Sequence, residues 1–228
     1  MNKEKTTPEM NSRLTKGEAI VAIGWLPMHM VVIPLALGFI MAWKGMSDVD
    51  MNLWLYTIGA CVMLIFELGF FRRDFDPLVD RLPQILGSII LYYFAMSAGE
   101  IAVSLLLSLI TPEGNPNNEA VTVMAEDAKA KTTVMAVFLA PFVEEMIFRA
   151  GIFGTIRRKS RVWAYVVSIA CFSLYHVASY ITYDIRYLLY ALQYLPSSYA
   201  LCRLYERNDT IWAPIFLHML TNYIALSI

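Results

Sequence analysis

The sequence predicts an all-α fold: a polytopic membrane helix bundle with about seven transmembrane helices. Of its 228 residues, 58% are hydrophobic, and the mean hydropathy is +0.53. The apolar residues form long blocks rather than short periodic stripes. Blocks of roughly 17 to 27 residues match the length that a helix needs to cross a hydrocarbon core of about 30 Å. This composition is typical of an integral membrane protein.

Seven apolar blocks are candidate membrane spans. They cover residues 19–43, 53–71, 84–110, 132–156, 162–180, 185–202 and 210–228. In the first block Pro27 and Pro34 predict kinks, and the block is too long, without a small-residue cleavage site, to indicate a removed signal peptide. The sixth block is interrupted by Gln193, Pro196 and two serines, which predicts a shortened or bent helix.

One long connection separates the third and fourth blocks. Residues 111–118 are dense in Pro, Gly and Asn, which predicts a loop. Residues 119–131 are first acidic and then basic, and they predict a helical lead into the fourth span. We therefore divide the chain into residues 1–131, the N-terminal membrane helices with an extracytoplasmic loop that form a supporting half, and residues 132–228, which carry a polar cluster.

The basic residues predict the orientation of the chain, because cytoplasmic loops accumulate Lys and Arg. Thirteen lie on one side of the predicted spans: Lys3, Lys5, Arg13, Lys16, Arg72, Arg73, Arg81, Arg157, Arg158, Lys159, Arg161, Arg203 and Arg207. The other side has four: Lys44, Lys129, Lys131 and Arg186. This bias predicts a multi-pass protein of the cell membrane, surrounded by lipid bilayer, with a cytoplasmic N-terminus and an extracytoplasmic C-terminus.

Charge and cysteine content argue against several other classes of function. A net charge of −1 gives no field that would attract nucleic acid, so no nucleic-acid partner is predicted. The three cysteines, Cys61, Cys171 and Cys202, lie in apolar stretches without CxxC spacing. Neither a disulfide framework nor a thiolate metal site is indicated.

The fourth block carries three charged residues in otherwise apolar sequence. Charged side chains inside a membrane span are costly unless they face a shared polar cavity, so they indicate a functional site. Successive helical residues are about 100° apart, so Glu144 and Glu145 should have different neighbours and different roles. Glu145 and Arg149 are four residues apart and can form an ion pair on one face. Pro141 cannot donate to the preceding turn, so the helix is expected to open just before the glutamates.

The fifth and seventh blocks add two histidines and an amide. From a rise of about 1.5 Å per residue, Glu144 lies roughly 18 Å, His176 roughly 21 Å and His218 roughly 12 Å from the cytoplasmic ends of their spans. These three side chains can therefore share one cavity. His218 and Asn222 are four residues apart, so one helical face presents both an imidazole and an amide.

These residue types suit the hydrolysis of an amide bond. A carboxylate and an imidazole that share a water, here Glu144 and His176, can remove its proton. A second imidazole and an amide, His218 and Asn222, can donate to a developing oxyanion. Glu144, His176 and His218 can alternatively hold a metal such as zinc. No HExxH motif is present, so a site without a cofactor is favoured.

Three motifs, EExxxR, FxxxH and HxxxN, occur in this order on successive hydrophobic helices. They resemble the type II CAAX protease and bacteriocin-processing enzyme family of intramembrane proteases, also called CPBP or Abi, over residues 130–226. The family is described both as metalloproteases and as metal-independent glutamate peptidases, and we favour the second. The resemblance implies that Glu145 and Arg149 of the first motif support the site.

The same resemblance implies an integral membrane endopeptidase and assigns the other roles. Glu144 and His176 are then the water-activating residues, and His218 and Asn222 stabilise the oxyanion. The expected partner is a membrane-associated or secreted peptide or protein substrate, and bacteriocin processing is one expected role. The alternative is a catalytically silent immunity or scaffold protein, because the chain is compact and the family is also linked to bacteriocin self-protection.

Three other ionisable residues lie in the predicted spans. His29 is part of no motif, so packing or a hydrogen bond to the backbone is expected for it. Glu67 lies within two turns of Arg72 and Arg73, which predicts pairing with an arginine at the membrane surface. Glu100 in the third block is a candidate for lining the polar cavity.

Overall fold

The computed structural model of the chain describes residues 10–111 and 114–227. Within these ranges the chain is helical and contains no strand, which confirms the all-α prediction. The described helices are α1 (Lys16–Lys44), α2 (Asp48–Phe66), α3 (Leu68–Asp80), α4 (Leu82–Ser108), α5 (116–157), α6 (Arg161–Ile181), α7 (Tyr194–Asn208) and α8 (Trp212–Ala225). A 3₁₀ segment, Ile185–Gln193, leads into α7. Residues named in the predictions that lie outside the described ranges are Lys3, Lys5, Pro112, Glu113 and Ile228.

Four of the described helices, α1, α2, α4 and α6, are long and apolar enough to cross a membrane. Their apolar residues are poorly covered by protein, since only 11% to 28% of the most apolar stretch of each is buried. Apolar helices with so little protein cover are suited to contact with lipid. They correspond to the first, second, third and fifth predicted blocks. The structure is a helical membrane bundle.

The other three predicted blocks are helical but do not form long apolar spans among the described residues. The fourth lies within α5, where three charged residues interrupt the apolar run. The sixth is divided between the 3₁₀ segment and α7, in the region where Gln193 and Pro196 predict a bend. The seventh corresponds to α8, which has 14 residues, fewer than the roughly 20 that span the hydrocarbon core. The count of seven spans stays a prediction.

The helix α1 contains a widened, π-helical turn at Met28–Val32. This turn lies between Pro27 and Pro34, neither of which can donate a backbone hydrogen bond. The irregularity predicted from the prolines is therefore present as a wide turn. It turns the buried side chain of His29 into the bundle.

The helix α5 contains two such turns, Val134–Leu139 and Met146–Phe153. They flank the short α-helical stretch Ala140–Glu145, which carries both glutamates. The opening predicted before the glutamates is thus a π-helical turn just upstream of Pro141. Wide turns of this kind are rare and often lie at functional sites.

Arg157, Arg161 and Arg203 lie at one end of the bundle, the arginine-rich end, where they surround Glu206 of α7. Its carboxylate accepts hydrogen bonds from four side chains of α5, α6 and α7: Arg157, Arg161, Tyr165 and Arg203. Burial alone would raise the pKa of Glu206, but the hydrogen bonds from the arginines and the tyrosine lower it to about 2. The carboxylate therefore stays charged and joins three helix ends.

The segment that precedes α1 is held at the same end. The backbone N–H groups of Asn11 and Ser12 each donate to the Asp209 carboxylate at 2.9 Å. Tyr205 Oη donates to Ser12 O at 2.6 Å. These bonds tie the start of the chain to the turn between α7 and α8, and α1 then packs along the second π-helical turn of α5.

Two glycines allow helices to approach closely. A Cβ atom on Gly99 of α4 would lie 2.9 Å from Pro196 Cβ of α7. A Cβ atom on Gly59 of α2 would lie 2.9 Å from Trp25 Nε1 and 3.2 Å from a methyl group of Val143. Small residues at such contacts let backbones of membrane helices pack tightly. They bring α2 against α5, which carries the predicted glutamates, and α4 against α7.

The pairing predicted for Glu67 is wrong. This residue is the non-helical junction between α2 and α3, which turns its side chain inward until it is fully buried. Neither of its carboxylate oxygens has a hydrogen-bond partner among the described residues. Arg73 instead forms an ion pair with Glu18 at 2.7 Å. Helical spacing misled the prediction because the helix is broken at Glu67.

Candidate active site

The predicted site residues lie on three helices, and α5 packs against each of the other two. They are Glu144, Glu145 and Arg149 on α5, His176 on α6, and His218 and Asn222 on α8. Glu145 and Arg149 are completely buried, and Glu144 and His218 are nearly so. Buried polar groups are stable only with partners, so the contacts of each residue indicate its role.

Glu144 is held by a tyrosine and faces two histidines. Its Oε1 accepts a hydrogen bond from Tyr56 Oη of α2 at 2.8 Å. Its Oε2 lies 3.8 Å from His176 Nε2 and 3.9 Å from His218 Nε2. These separations are too long for direct hydrogen bonds, but a bridging water can connect such groups. One oxygen is therefore fixed, and the other faces a space shared by both imidazoles.

His176 presents Nε2 to Glu144 because its other ring nitrogen is bound to the backbone. Its Nδ1 lies 2.8 Å from Phe172 O, one turn earlier in α6. A carbonyl oxygen only accepts, so Nδ1 carries a proton and Nε2 of the neutral ring is an acceptor. The imidazole also contacts the rings of Tyr194 and Phe172, with centroids 4.3 and 4.4 Å away. These contacts fix its orientation.

Glu145 binds a guanidinium and an imidazole with the same oxygen. Its Oε1 lies 2.9 Å from Arg149 Nη1 and 2.8 Å from His218 Nδ1. Arg149 also donates from Nη2 to Ser198 Oγ of α7 at 3.2 Å, and it lies over the Phe172 ring at 4.1 Å. The predicted pair of Glu145 and Arg149 is therefore present, and it extends to α7 and α8.

The contact with Glu145 defines what His218 can do. A carboxylate only accepts, so His218 Nδ1 carries a proton. Its Nε2, which faces Glu144, is then an acceptor in the neutral ring and a donor in the imidazolium. Because Glu144 and Glu145 both lie beside this ring, a positive charge on His218 is compensated locally.

Asn222 lies one turn after His218 on α8. Its Nδ2 donates to Ala136 O, in the first π-helical turn of α5, at 2.8 Å. An amide group carries two N–H donors, so one is used by the backbone and the second is available to a bound molecule. The structure places Asn222 beside the widened turn rather than in contact with Glu144.

A chain of hydrogen bonds behind Glu144 was not predicted from the sequence. Tyr56 Oη lies 2.8 Å from Tyr175 Oη, which lies 2.9 Å from His29 Nε2. His29 also packs against the Tyr56 ring, with centroids 4.7 Å apart. The expectation for His29 missed this side-chain contact. Tyrosines occur throughout the apolar blocks, so no spacing pattern distinguishes Tyr56 or Tyr175.

The N-terminal end of α5 supports the site indirectly. The side-chain amides of Asn115 and Asn117 each donate to Tyr194 Oη at 3.1 Å. Tyr194 stacks on His176. Two asparagines that only indicated a loop in the sequence therefore help to hold the ring that covers the histidine.

Glu100 of α4 lies at the side of the cluster. It lies beside Ser197 of α7 and near His218. It also lines a cavity of about 360 Å³ together with three serines of α4, Ser97, Ser104 and Ser108, and the apolar side chains of Ile101 and Leu105. Glu100 therefore lies beside the site, although it makes no described contact with Glu144.

The described donor atoms lie slightly further apart than the ligands of a bound zinc ion. Each histidine binds an acceptor through Nδ1 and leaves Nε2 free, as metal ligands commonly do. However, tetrahedral zinc with bonds of about 2.0–2.2 Å holds its ligand atoms only about 3.3–3.6 Å apart, and the distances from Glu144 to His176 and His218 are 3.8 and 3.9 Å. Within the described part of the chain, no three His, Cys, Asp or Glu side chains are grouped to hold a metal.

Comparison with known proteins agrees with the resemblance seen in the motifs. Residues 128–224 match the family described as "Rce1-like: Type II CAAX prenyl endopeptidase Rce1-like". A 90-residue segment is 31% identical to the "Putative membrane peptidase YdiL" of Bacillus subtilis (strain 168). This alignment covers 39% of the present chain and 33% of the length of that relative. No solved structure matches the chain.

Proposed function

Since residues 128–224 match the Rce1-like family, we propose that the protein is an intramembrane endopeptidase in which Glu144 and His176 activate water. The name of the Bacillus subtilis relative supports the same class of enzyme. The observation that carries the proposal is the free Oε2 of Glu144, which lies 3.8 and 3.9 Å from two imidazole Nε2 atoms. Peptide hydrolysis needs a base for the water and donors for the oxyanion, and this cluster offers both.

Water activation is assigned to Glu144 and His176. A water in the shared space can donate one hydrogen bond to Glu144 Oε2 and another to His176 Nε2, which leaves its oxygen lone pair for attack. Tyr56 fixes the second carboxylate oxygen, and Phe172 O fixes the histidine. Neither base therefore has to reorient during the reaction.

Oxyanion stabilisation is assigned to His218 and Asn222. In its imidazolium form His218 donates from Nε2 while Nδ1–H remains bound to Glu145. The free N–H of Asn222 is the second donor, because the first is bound to Ala136 O. Preorganised donors of this kind contribute about 2.7–4 kcal/mol each to transition-state stability.

The proposed reaction transfers one proton in each direction. The water oxygen bonds to the carbonyl carbon while Glu144 takes a proton from the water. When the tetrahedral intermediate collapses, the C–N bond breaks and the proton is returned to the departing amine. The first products are a carboxylic acid and an amine, and Glu144 is regenerated. The acid then passes its proton to the amine, which gives a carboxylate and an ammonium group.

We propose that this chemistry proceeds without a metal ion. We expect purified protein to contain less than one zinc atom per chain and to keep its activity after dialysis against a chelator. Zinc at one atom per chain, together with loss of activity on its removal, contradicts this part of the proposal. That result would identify Glu144, His176 and His218 as zinc ligands.

The proposed substrate is a membrane-associated or secreted peptide or protein, and processing of a bacteriocin-type leader is one such role. The proposed location is the cell membrane, with the N-terminus in the cytoplasm and the C-terminus outside. This orientation rests on the thirteen basic residues of one side against four of the other. Cleavage would then occur within the membrane, towards its cytoplasmic half.

The proposal is tested by comparing small membrane and secreted peptides from cells that carry the wild-type protein or Glu144→Gln. The variant keeps the size of the side chain but cannot act as a base. We expect at least one peptide to be trimmed only with the wild type. Asn118→Gln, at an exposed position in the first turn of α5, is the matched control and should leave trimming unchanged.

The same comparison separates a peptidase from a silent immunity or scaffold protein. Equal membrane levels of wild type and variant must be shown first. If both give the same peptides, and a cellular phenotype is still rescued by Glu144→Gln, the catalytic proposal fails and the scaffold alternative replaces it.

A further inference from the structure

A second polar cavity lies at the arginine-rich end of the bundle, away from Glu144. It has a volume of about 380 Å³ and lies between the start of α4 and the end of α7. Its lining consists of Arg81, Gln84, Gly87, Ser88, Leu91, Arg207 and Asn208. No carboxylate lines it, so the cavity is positively charged.

The two arginines of this cavity, like the exposed Arg72, differ from most arginines at this end of the molecule. Arg157, Arg161 and Arg203 share Glu206, and Arg73 binds Glu18. Arg81 and Arg207, by contrast, make no hydrogen bond or ion pair with any described side chain. Two guanidinium groups that face one cavity without a counter-charge form a site for an anion.

Uncharged groups complete the lining. Arg81 directly precedes the 27-residue helix α4, and the cavity runs along the start of this helix as far as Leu91. The Oγ atom of Ser88 is bound to Gln84 O, and Gly87 has no atom within 4 Å of the position of a Cβ. The floor of the cavity is therefore open and uncharged.

The cavity continues onto an apolar surface of α4. Leu91 lines its far side and is 56% exposed. Phe94, almost one turn further along the helix, is 66% exposed. Because α4 is one of the helices suited to cross the membrane, this surface faces the hydrocarbon region while Arg81 lies at its edge.

We propose that this cavity binds the headgroup of an anionic phospholipid. Arg81 and Arg207 hold the phosphodiester, Gln84 and Asn208 offer amide groups to headgroup hydroxyls, and one acyl chain follows Leu91 and Phe94. A zwitterionic lipid would bring its cationic amine close to two guanidinium groups, so an anionic headgroup is preferred. The site is independent of the proposed peptidase activity.

The test is a titration of the purified full-length protein in detergent, followed by native mass spectrometry. The probes are phosphatidylglycerol and phosphatidylcholine with identical acyl chains. We expect the wild type to bind phosphatidylglycerol at least tenfold more tightly. Arg81→Gln and Arg207→Gln should each weaken this binding about fivefold, and the double variant should bind both lipids equally.

Arg72→Gln is the matched control, because Arg72 is an exposed arginine of the same end that does not line the cavity. It should leave the lipid preference unchanged. An equal loss in Arg72→Gln would show general attraction to basic surface, and an unchanged preference in the double variant would exclude the cavity. Displacement of phosphatidylglycerol by equimolar inorganic phosphate would show that free phosphate is the ligand. Each of these three results overturns the proposal.

A second measurement does not depend on the variants folding. Phosphatidylglycerol with a photoreactive headgroup should label wild-type peptides that contain Arg81 to Leu91 or Arg207 and Asn208. Labelling confined to other peptides contradicts the site. Monodisperse elution and an unchanged unfolding temperature identify variants that are suitable for the titration.

Discussion

Glu144 and Glu145 are adjacent in sequence but have different surroundings. Glu145 binds Arg149 and His218 in a buried cluster, so its charge is compensated, which suits the proposed positioning role. Glu144 has one oxygen bound to Tyr56 and one directed at two imidazoles. A difference of about 100° around the helix axis is sufficient to separate the two roles.

Tyr56→Phe tests the role of Tyr56 in holding Glu144. The substitution removes one hydrogen bond to an ionised group, a loss of about 1.5–3 kcal/mol. If that bond positions the base, kcat/KM should fall about 10- to 100-fold with little change in the unfolding temperature. The loss should appear in kcat rather than in KM, because Tyr56 contacts the proposed base and not the substrate.

Tyr223→Phe is the control for this measurement, since Tyr223 is 56% exposed on α8. It should leave kcat and KM unchanged. Wild-type kcat and KM in Tyr56→Phe would show that the tyrosine is a packing residue and has no part in positioning the base.

The sequence predicts those site contacts that depend on helical spacing. Glu145 and Arg149 meet because they are four residues apart, and the three apolar helices with histidines or glutamates converge as expected. Tyr56 and Ser198 could not be found in this way. Their roles depend on how α2 and α7 pack on α5, and a tyrosine or serine in an apolar block is compatible with many environments.

At the level of the helices, irregular turns and close contacts shape the site. The π-helical turn Met28–Val32 turns His29 towards Tyr175, and the turns around Ala140–Glu145 change the register of α5 on both sides of the glutamates. Close packing of α4 on α7 supports the helix that carries Ser198. The positions of the site residues therefore depend both on the distorted turns and on the close packing of the helices.

Gly99→Ala tests the close contact between α4 and α7. The new methyl group would lie 2.9 Å from Pro196 Cβ, and a proline ring cannot rotate away. Overpacking of this kind costs about 1–3 kcal/mol, so the free energy of unfolding in detergent should decrease by this amount.

Gly38→Ala in α1 is the matched substitution, because no atom lies within 4 Å of its Cβ position. It should be neutral or stabilise the helix by up to about 1 kcal/mol. Equal effects of the two substitutions would show that helix propensity, rather than the contact with Pro196, determines the result.

The long apolar blocks predict α1, α2, α4 and α6 well, because length and hydropathy are properties of the local sequence. The same criterion is weaker for α5, α7 and α8. Polar residues of α5 and α7 serve the site or the arginine-rich end and lower the hydropathy by which spans are identified, whereas α8 is apolar but has only 14 residues. The break at Glu67 was missed since no Gly or Pro marks it.

Considered as a whole, the molecule has a buried polar site and a charged end that fastens the helices. Asp74 of α3 belongs to that end: its Oδ2 accepts hydrogen bonds from Thr210 Oγ1 at 2.7 Å and from Ile211 N at 2.8 Å. Its side chain is almost completely buried. Burial raises the pKa of Asp74 to about 6.

This shift predicts how stability depends on pH. Between about pH 4 and pH 6 folded Asp74 retains a proton that the unfolded chain has lost. Its contribution to stability is therefore complete below about pH 4 and is lost as the pH rises through 6, a decrease of about 1–3 kcal/mol. The pKa of Glu206 is lowered instead, so its contribution to stability is complete above about pH 4.5 and is lost as the pH falls towards 2.

Asp74→Asn removes the titrating group and isolates this effect. The difference in unfolding free energy between wild type and variant should fall steadily from pH 4 to pH 6.5, as measured by denaturant titration in detergent. A difference that stays constant over this range would show that Asp74 titrates at an ordinary pH in the folded protein.

The most direct test of a peptidase centred on Glu144 is hydrolysis in water labelled with ¹⁸O. The purified protein, in a lipid nanodisc, is incubated with the peptide identified by the cellular comparison, and the products are analysed by mass spectrometry. The proposed reaction predicts one ¹⁸O atom in the new carboxylate with the wild type and no product with Glu144→Gln. Labelled product formed equally by Glu144→Gln would contradict the assignment of Glu144 as the base.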